Sequence, residues 1–450
     1  MRTPAFAQTP ARFAAPLAAA FLVAATTAAA CPFCAAPSLT LSEQVNQADV
    51  AVVAEWAAAQ EADADNAAST TFRVVRPLKG GESLDQSEPV KTVVYRAGEP
   101  GDLFLLLASF EDDAKADDAA GDDASGDEAS GDEAAEAEGG DAADGDSEGQ
   151  AAGAAPRPLR WSGPVEITAA VAEYLDAAPA VDAPEQERLA YYLKFLEDAD
   201  ETVATDAYSE FAGAPYDAVV PLAEQMDTAK LRRWLTDEDV TPTRLGLYGM
   251  MLGLSGDESD AAAMLEIINT PTDEFRLGID GIMGGYILLT GEEGLSEIEQ
   301  SKLLARDIPF NETYAAMQAL RFLWKYAEGT VPKERLRQSM RLLLQRPDMA
   351  DLVIADLARW KDWSLVDSLD GLYDAEGFEM PAIKRAIIRY YLTATKTKKD
   401  APSDEVKATA EEKLEALKEA DPKTYESAVR FFFIGSADFD GGPRRGPPRC

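Results

Sequence analysis

A glycine-bearing repeat decides the fold. Residues 244–253 read RLGLYGMMLG, and residues 276–285, which lie 32 positions further along, read RLGIDGIMGG. Three glycines of the first copy match three glycines of the second copy one for one. Their spacings of three and four residues place them on one side of a helix, where the missing side chains let two helices approach closely. A repeat of this length is typical of stacked helix pairs.

Helical periodicity extends to both sides of this repeat, from about residue 165 almost to the end of the chain. Apolar residues recur at spacings of three and four, as in the series Tyr314, Met317, Leu320 and Trp324. The region resembles HEAT-type α-solenoids. We therefore predict a mainly α protein, with an irregular HEAT-like α-solenoid over residues 168–435.

Residues 38–110 carry a different pattern, that of short strands. The runs rich in Val, Phe and Leu are residues 50–56, 70–75, 90–95 and 103–109. Together with Cys31 and Cys34, the segments QADVAVVAEW, TTFRVVRPLKGG and GDLFLLLASF resemble the netrin/TIMP-like module, an OB-type β-barrel found at the N-terminus of exported proteins. The resemblance implies a small OB-like β-barrel over residues 31–110. The later cysteines of that module are missing, so its inhibition of metalloproteinases is not carried over.

Residues 111–155 differ in composition from both regions. Residues 111–150 hold 17 Asp or Glu against one lysine. Such a segment has little to bury and repels itself, which predicts a disordered acidic insertion. Strand-like residues on both sides place a closing strand of the β domain near residues 157–167. A weak calcium reservoir is the functional alternative to a solubilising loop.

The N-terminus has the pattern of a signal peptide over residues 1–30. Arg2 and Arg12 lead into an apolar stretch, and Ala28 and Ala30 supply small residues at −3 and −1. The pattern predicts cleavage between Ala30 and Cys31, and an extracytoplasmic protein that is periplasmic or secreted. A lipoprotein acylated at Cys31 is the alternative, although Ala28 stands where a lipobox prefers leucine.

Composition excludes several classes of function. The net charge of −39 over 450 residues argues against nucleic-acid binding, which needs clustered Lys and Arg. After the signal peptide no apolar run is long enough for a membrane span. The chain has no histidine, which removes Ser-His-Asp and Cys-His catalysis and histidine ligation of zinc. We expect a protein that is not an enzyme, with no cofactor and no metal site.

The three cysteines are Cys31, Cys34 and Cys450. Cys31 and Cys34 form a CxxC motif, a candidate disulfide or redox pair. Redox enzymes of the thioredoxin type place this motif between a strand and a helix, and no strand precedes it here. A structural disulfide is therefore favoured over catalysis. Cys450 ends a flexible Pro/Gly/Arg tail, residues 436–450, and offers a disulfide to a partner.

Residues 331–400 are basic relative to the rest, with 13 Lys or Arg against 11 Asp or Glu. Arg337 and Arg341 lie one helical turn apart, as do Arg385 and Arg389. They are candidates for a groove that docks an acidic partner. The alternative is a ladder of ion pairs with the neighbouring aspartates, which are Asp351, Asp356, Asp362 and Asp367.

Asp280 is a further candidate contact for a ligand. It stands in the second glycine repeat, where the first copy has a tyrosine, between Gly278 and Gly281. Glycines on the same face would line a cleft with backbone, and the Asp280 carboxylate would reach a ligand there. A solvent-exposed aspartate is the alternative.

These observations predict an exported, non-enzymatic scaffold or protein- or peptide-binding protein that uses a helical-repeat surface. Its partner is an unknown protein or peptide. The three-part layout resembles a family of exported bacterial proteins, and this resemblance implies no activity. Two alternatives stay open: an extracytoplasmic thiol-disulfide oxidoreductase that uses Cys31 and Cys34, and a lipid-anchored surface protein acylated at Cys31.

Overall fold

The computed structural model describes residues 31, 33–34, 39–85, 87–111, 158–272, 274–430 and 432. The predictions for the signal peptide, for the acidic insertion beyond residue 111, for the tail and for Cys450 lie outside these residues. The described residues form two compact units, one that ends at Leu336 and one that begins at Arg337.

The first unit opens with a short helix and a sheet. The helix α1 (Leu41–Gln47) begins with a capping box, in which the Thr40 hydroxyl accepts the Glu43 N–H and the Glu43 carboxylate accepts the Thr40 N–H. Six strands follow it: β1 (Val50–Gln60), β2 (Ser69–Lys79), β3 (Val90–Thr92), β4 (Leu103–Phe110), β5 (Leu159–Trp161) and β6 (Val165–Ile167).

The strands form one antiparallel sheet in the order β3-β2-β1-β4-β5, with β6 also paired to β4. Its core holds Phe72 of β2 against Phe104 of β4, with ring centroids 5.1 Å apart. Three of the predicted strands are present nearly as expected, and the run at residues 90–95 is shorter. Among the described residues no pairing joins β3 to β5, and the closed OB-type barrel stays a prediction.

Helices make up the rest of the first unit. They are α2 (Ala169–Ala177), α3 (Glu185–Tyr192), α4 (Glu201–Gly213), α5 (Tyr216–Val219), α6 (Thr228–Trp234), α7 (Leu245–Ser255), α8 (Glu258–Asn269), α9 (Ile279–Ile298) and α10 (Phe310–Tyr326). The helix α9 is kinked at Gly291, whose φ of 63° lies in the left-handed region that favours glycine.

The glycine repeat lies on α7 and at the start of α9, and it lets these two helices meet at backbone distance. A β carbon at Gly253 would lie 2.6 Å from the carbonyl carbon of Gly285, and one at Gly285 would lie 2.7 Å from the carbonyl carbon of Gly249. The atoms met are backbone, so a larger residue at either position would force the two helices apart. The predicted close approach of the two repeats is confirmed.

The boundary between the units falls inside α11 (Lys333–Leu342). The second unit continues with α12 (Ala350–Arg359), α13 (Pro381–Lys396), α14 (Asp404–Ala420) and α15 (Pro422–Arg430). The helix α13 is its centre, because Ile387 and Tyr390 are fully buried in a core that also holds Ile354, Leu369 and Leu414.

The prediction of a mainly α protein with a small β domain before the helices is confirmed. The assignment of the helices to HEAT-like repeats stays a prediction, as does the proposed division into domains. In the part of the chain that the structure describes, no helix is long and apolar enough to cross a membrane.

Candidate functional site

A cavity of about 370 Å³ opens in the second unit. Its walls are α12 and α13, and Phe432 closes one side. The helix α13 begins with Pro381 in its first turn, a position where the missing N–H of proline has no helical partner to lose. Ile383 and Ile387 are buried in the core, and the adjacent side of the helix faces the cavity.

Small and apolar side chains form most of the cavity wall. They are Leu352, Ala355, Ala358, Ala382, Ala386, Tyr390 and Phe432. Because alanine has no side chain beyond its β carbon, four alanines on two facing helices leave room that larger residues would fill. The cavity is therefore apolar and open to a side chain or a small ligand.

Charged groups line the same cavity with an excess of positive charge. Arg359, Arg385 and Arg389 stand against one carboxylate, that of Asp351. Arg359 is largely exposed and pairs with Asp356 of its own helix, with 2.9 Å between Nη1 and Oδ1. Arg385 and Arg389, one turn apart on α13, then stand against the single carboxylate of Asp351, and the cavity keeps an excess of positive charge.

Arg385 and Arg389 differ in how they are held. Arg389 is half-buried, and its Nε donates to the carbonyl oxygen of Ala428 at 3.2 Å. Burial lowers the pKa of Arg389, and the charge of Arg385 lowers it further. Arg385 has no hydrogen-bond or ion-pair partner among the described residues. The pair is thus a site of unbalanced positive charge beside an apolar wall.

The other two predicted arginines lie elsewhere in the second unit. Arg337 donates to the carbonyl oxygen of Trp360, with 3.0 Å from Nε. Arg341 binds the buried Asp362 with two hydrogen bonds, of 2.6 Å and 2.9 Å. Burial raises the pKa of Asp362, but the hydrogen bonds from Arg341 and Ser364 outweigh it and hold the pKa below its usual range. Arg337 and Arg341 do not line the cavity.

The remaining candidates lie in the first unit. Asp280 stands in the first turn of α9, half-buried, and burial raises its pKa. Cys31 and Cys34 form a disulfide with each other. Cys31 is 6% exposed, and its backbone N–H donates to the carbonyl oxygen of Ala212 at 3.0 Å. Asp280, Cys31 and Cys34 therefore belong to the first unit, whereas the arginines of α13 belong to the second.

Sequence reasoning missed part of the cavity wall. Ala382 and Ala386 repeat at a spacing of four on the helix that carries Arg385 and Arg389, a signal that was available but ambiguous. Phe432 and Arg359 had no such signal, because they come from other elements. Among the described residues, no three Cys, Asp or Glu side chains converge to hold a metal ion.

Comparison with known proteins adds no relative. No family model matches the chain, and no curated protein matches it.

Proposed function

We propose that this protein is a non-enzymatic binding protein that holds an acidic peptide segment of a partner in the cavity between α12 and α13. The observation that carries the proposal is Arg385, a guanidinium without a partner among the described residues, next to the half-buried Arg389 and an apolar wall. A segment with one carboxylate and a neighbouring apolar side chain fits both features.

The electrostatics favour an anion at this place. Two like charges one turn apart disfavour each other, and burial of Arg389 makes the repulsion stronger than it would be in water. A carboxylate between them relieves that repulsion and accepts up to two charge-assisted hydrogen bonds from each guanidinium. The whole chain carries a charge of −39, so an acidic peptide is attracted only where positive charge is in excess, as it is in the cavity. Binding should therefore be local to the cavity.

The apolar wall supplies the second half of the recognition. A leucine or phenylalanine side chain that enters the cavity beside Ala386 and Phe432 removes apolar surface from water. A volume of about 370 Å³ accepts one such side chain together with a carboxylate. A purely charged ligand would leave the apolar wall exposed to water. We therefore expect acidic segments with apolar residues to bind better than polyglutamate.

The export of the protein and its role as a scaffold belong to the same proposal. The signal-like N-terminus supports an extracytoplasmic location, and Cys450 supports a disulfide-linked partner. The antiparallel sheet supports an OB-type module, and the helices that follow it support a HEAT-like solenoid. An acidic peptide partner in that compartment requires no enzyme activity and no cofactor.

Fluorescence anisotropy tests the proposal. The probe is the fluorescein-labelled peptide Glu-Glu-Leu-Phe-Glu-Glu, and Lys-Lys-Leu-Phe-Lys-Lys is its counterpart. We expect Arg385→Gln to weaken binding roughly tenfold or more, because a hydrogen bond to a charged group contributes about 1.5–3 kcal/mol. Lys398→Gln is the matched control, since this exposed lysine of the same unit loses the same charge.

Salt gives a second readout. Binding through Arg385 should weaken as ionic strength rises from about 0.01 to about 0.15 M, because the Debye length falls from about 30 Å to about 8 Å. If the acidic peptide binds no better than the basic one, or if Arg385→Gln and Lys398→Gln weaken it equally, the cavity is not the binding site.

A thiol-disulfide oxidoreductase is the second candidate, favoured by the disulfide between Cys31 and Cys34. The burial of Cys31 disfavours it, because a catalytic thiol has to meet its substrate. An insulin-reduction assay decides between the two. A lipid anchor on Cys31 would use the sulfur that the disulfide occupies, so the intact mass of the unreduced protein distinguishes acylation from the disulfide.

A further inference from the structure

The disulfide-closed loop at the N-terminus inserts an aromatic ring among the helices of the first unit. Phe33 lies between the two cysteines and is 8% exposed. Its ring centroid is 4.7 Å from that of Phe322 on α10. The N–H of Cys31 is bound at the same time to the last turn of α4, through the carbonyl oxygen of Ala212. The loop is therefore held at its aromatic tip and at its backbone.

Two glycines of the repeat form the walls of the slot that receives this ring. A β carbon at Gly284 of α9 would lie 2.8 Å from Cζ of Phe33. A β carbon at Gly246 of α7 would lie 2.9 Å from the carbonyl oxygen of Phe33 and 3.1 Å from its Cβ. Any larger residue at either position would meet the loop. Gly246, which also lies against Gly278, thus serves both the approach of α7 to α9 and the slot.

The far end of the slot is aromatic as well. Phe322 packs edge to face on Tyr216, with ring centroids 5.3 Å apart, and lies 5.9 Å from Tyr326 on the next turn of α10. Aromatic rings that meet at such distances and angles attract one another beyond the burial of their area. The slot is therefore selective for a flat ring over a branched aliphatic side chain.

We propose that this slot is a binding site for an aromatic side chain, that Phe33 occupies it while the Cys31–Cys34 disulfide closes the loop, and that a dithiol reductant opens the site. This goes beyond the peptide cavity of the second unit and depends on none of its residues. The occupant is a segment of the chain itself, and the disulfide controls the occupancy.

The chemical step is a thiol-disulfide exchange. Cys34 is more exposed than Cys31, so a thiolate of the dithiol attacks Sγ of Cys34. The bond between the two sulfurs breaks, and Cys31 leaves as a thiolate that takes up a proton. The second thiol of the reductant, as its thiolate, then displaces Cys34, which leaves as a thiolate and is protonated in turn. Two electrons have moved from the dithiol, now a disulfide, to the two cysteines.

Reduction weakens the docking of Phe33 through the freedom of the loop. With the disulfide closed, Phe33 has few conformations to lose when its ring enters the slot. Once the disulfide is reduced, the backbone of the loop regains rotational freedom. Docking of the ring must then order this backbone again, which costs conformational entropy. The slot should then be empty for a larger share of the time.

Benzene is the probe for an empty slot, because a dry apolar cavity binds it. With the full-length chain, we expect benzene to raise the melting temperature after treatment with dithiothreitol and to have no effect on the oxidised protein. Phe33→Ala keeps the disulfide and empties the slot, so here benzene should stabilise the oxidised protein too. The rate of hydrogen exchange of the backbone amides at the start of α9 should rise roughly tenfold on reduction.

A pair of glycine variants supplies the control. In reduced Gly284→Ala the new methyl group takes up the place of Cζ of Phe33, and benzene should raise the melting temperature less than in the reduced parent. In reduced Gly213→Ala, where a β carbon meets nothing within 4 Å, benzene should act as in the parent. If reduction changes neither the benzene response nor the exchange, the disulfide does not control the slot. If benzene fails to stabilise Phe33→Ala, the slot is not an aromatic site.

Discussion

The replacement Gly285→Ala should destabilise the first unit, although alanine is the better helix former. A β carbon at this position would lie 2.7 Å from the carbonyl carbon of Gly249 on α7, and closer still to its oxygen. Ordinary contact begins at 3.4 Å. The two helices must therefore separate by more than about 0.7 Å, because neither atom is the end of a flexible side chain.

The magnitude follows from two opposing effects. Overpacking against a rigid neighbour costs about 1–3 kcal/mol, and a gap of this width forfeits a quarter to a half of each dispersion contact across it. The upper end of that range, about 3 kcal/mol, applies to backbone that cannot rotate away. Alanine returns about 1 kcal/mol of helix propensity. We therefore expect the free energy of unfolding to fall by about 2 kcal/mol.

Urea denaturation followed by circular dichroism measures this change. With a slope of about 2 kcal/mol per molar urea, the midpoint should fall by about 1 M. Gly213→Ala is the matched control, because the same methyl group at the end of α4 meets nothing within 4 Å. This variant should be as stable as the parent or slightly more so. Equal midpoints for the two variants would refute the explanation by backbone contact.

Two further predictions concern buried carboxylates of the first unit. Glu312 is 3% exposed and accepts hydrogen bonds from Arg276 and Lys302, each at 2.9 Å. Glu312→Ala should leave these two cations without a counter-charge and lower the free energy of unfolding, measured in urea, by about 3 kcal/mol. Glu328→Ala, at an exposed ion pair, should change it little. Burial raises the pKa of Glu210 above its ordinary value of 4.5, so the folded state binds more protons and the unfolding free energy should fall as pH rises above that value. In Glu210→Gln the free energy of unfolding, measured by urea denaturation at several pH values, should change less with pH. An unchanged pH dependence would contradict the raised pKa of Glu210.

Much of the fold was predictable because it depends on local pattern. Runs rich in Val, Phe and Leu predicted strands at residues 50–56, 70–75 and 103–109, and these are the central strands of the sheet. The strand β1 extends four residues further, to Gln60, because pairing with β2 continues where the apolar pattern has ended. The run at residues 90–95 is strand only to Thr92, since β3 finds pairing partners only at residues 70–72 among the described residues of β2.

The candidate site was predictable only in part. A spacing of four places Arg337 beside Arg341 and Arg385 beside Arg389, and spacing cannot distinguish the two pairs. They differ because Asp362 lies against Arg341, whereas α12 offers alanines and a cavity to Arg385. Likewise the CxxC spacing permits a local or a distant disulfide, and only the structure places Phe33 among the aromatic rings of α10.

The sequence by itself determined the class of the protein: short strands, then helices, with two glycine stripes whose positions match one for one. These properties depend on the period of apolar residues and on the missing side chains of glycine, which are local facts. The tertiary structure decided which arginine pair faces a cavity, that Gly246 and Gly284 border an aromatic slot, and that Phe33 occupies it. Those outcomes depend on distances between residues far apart in the chain, which no local pattern records.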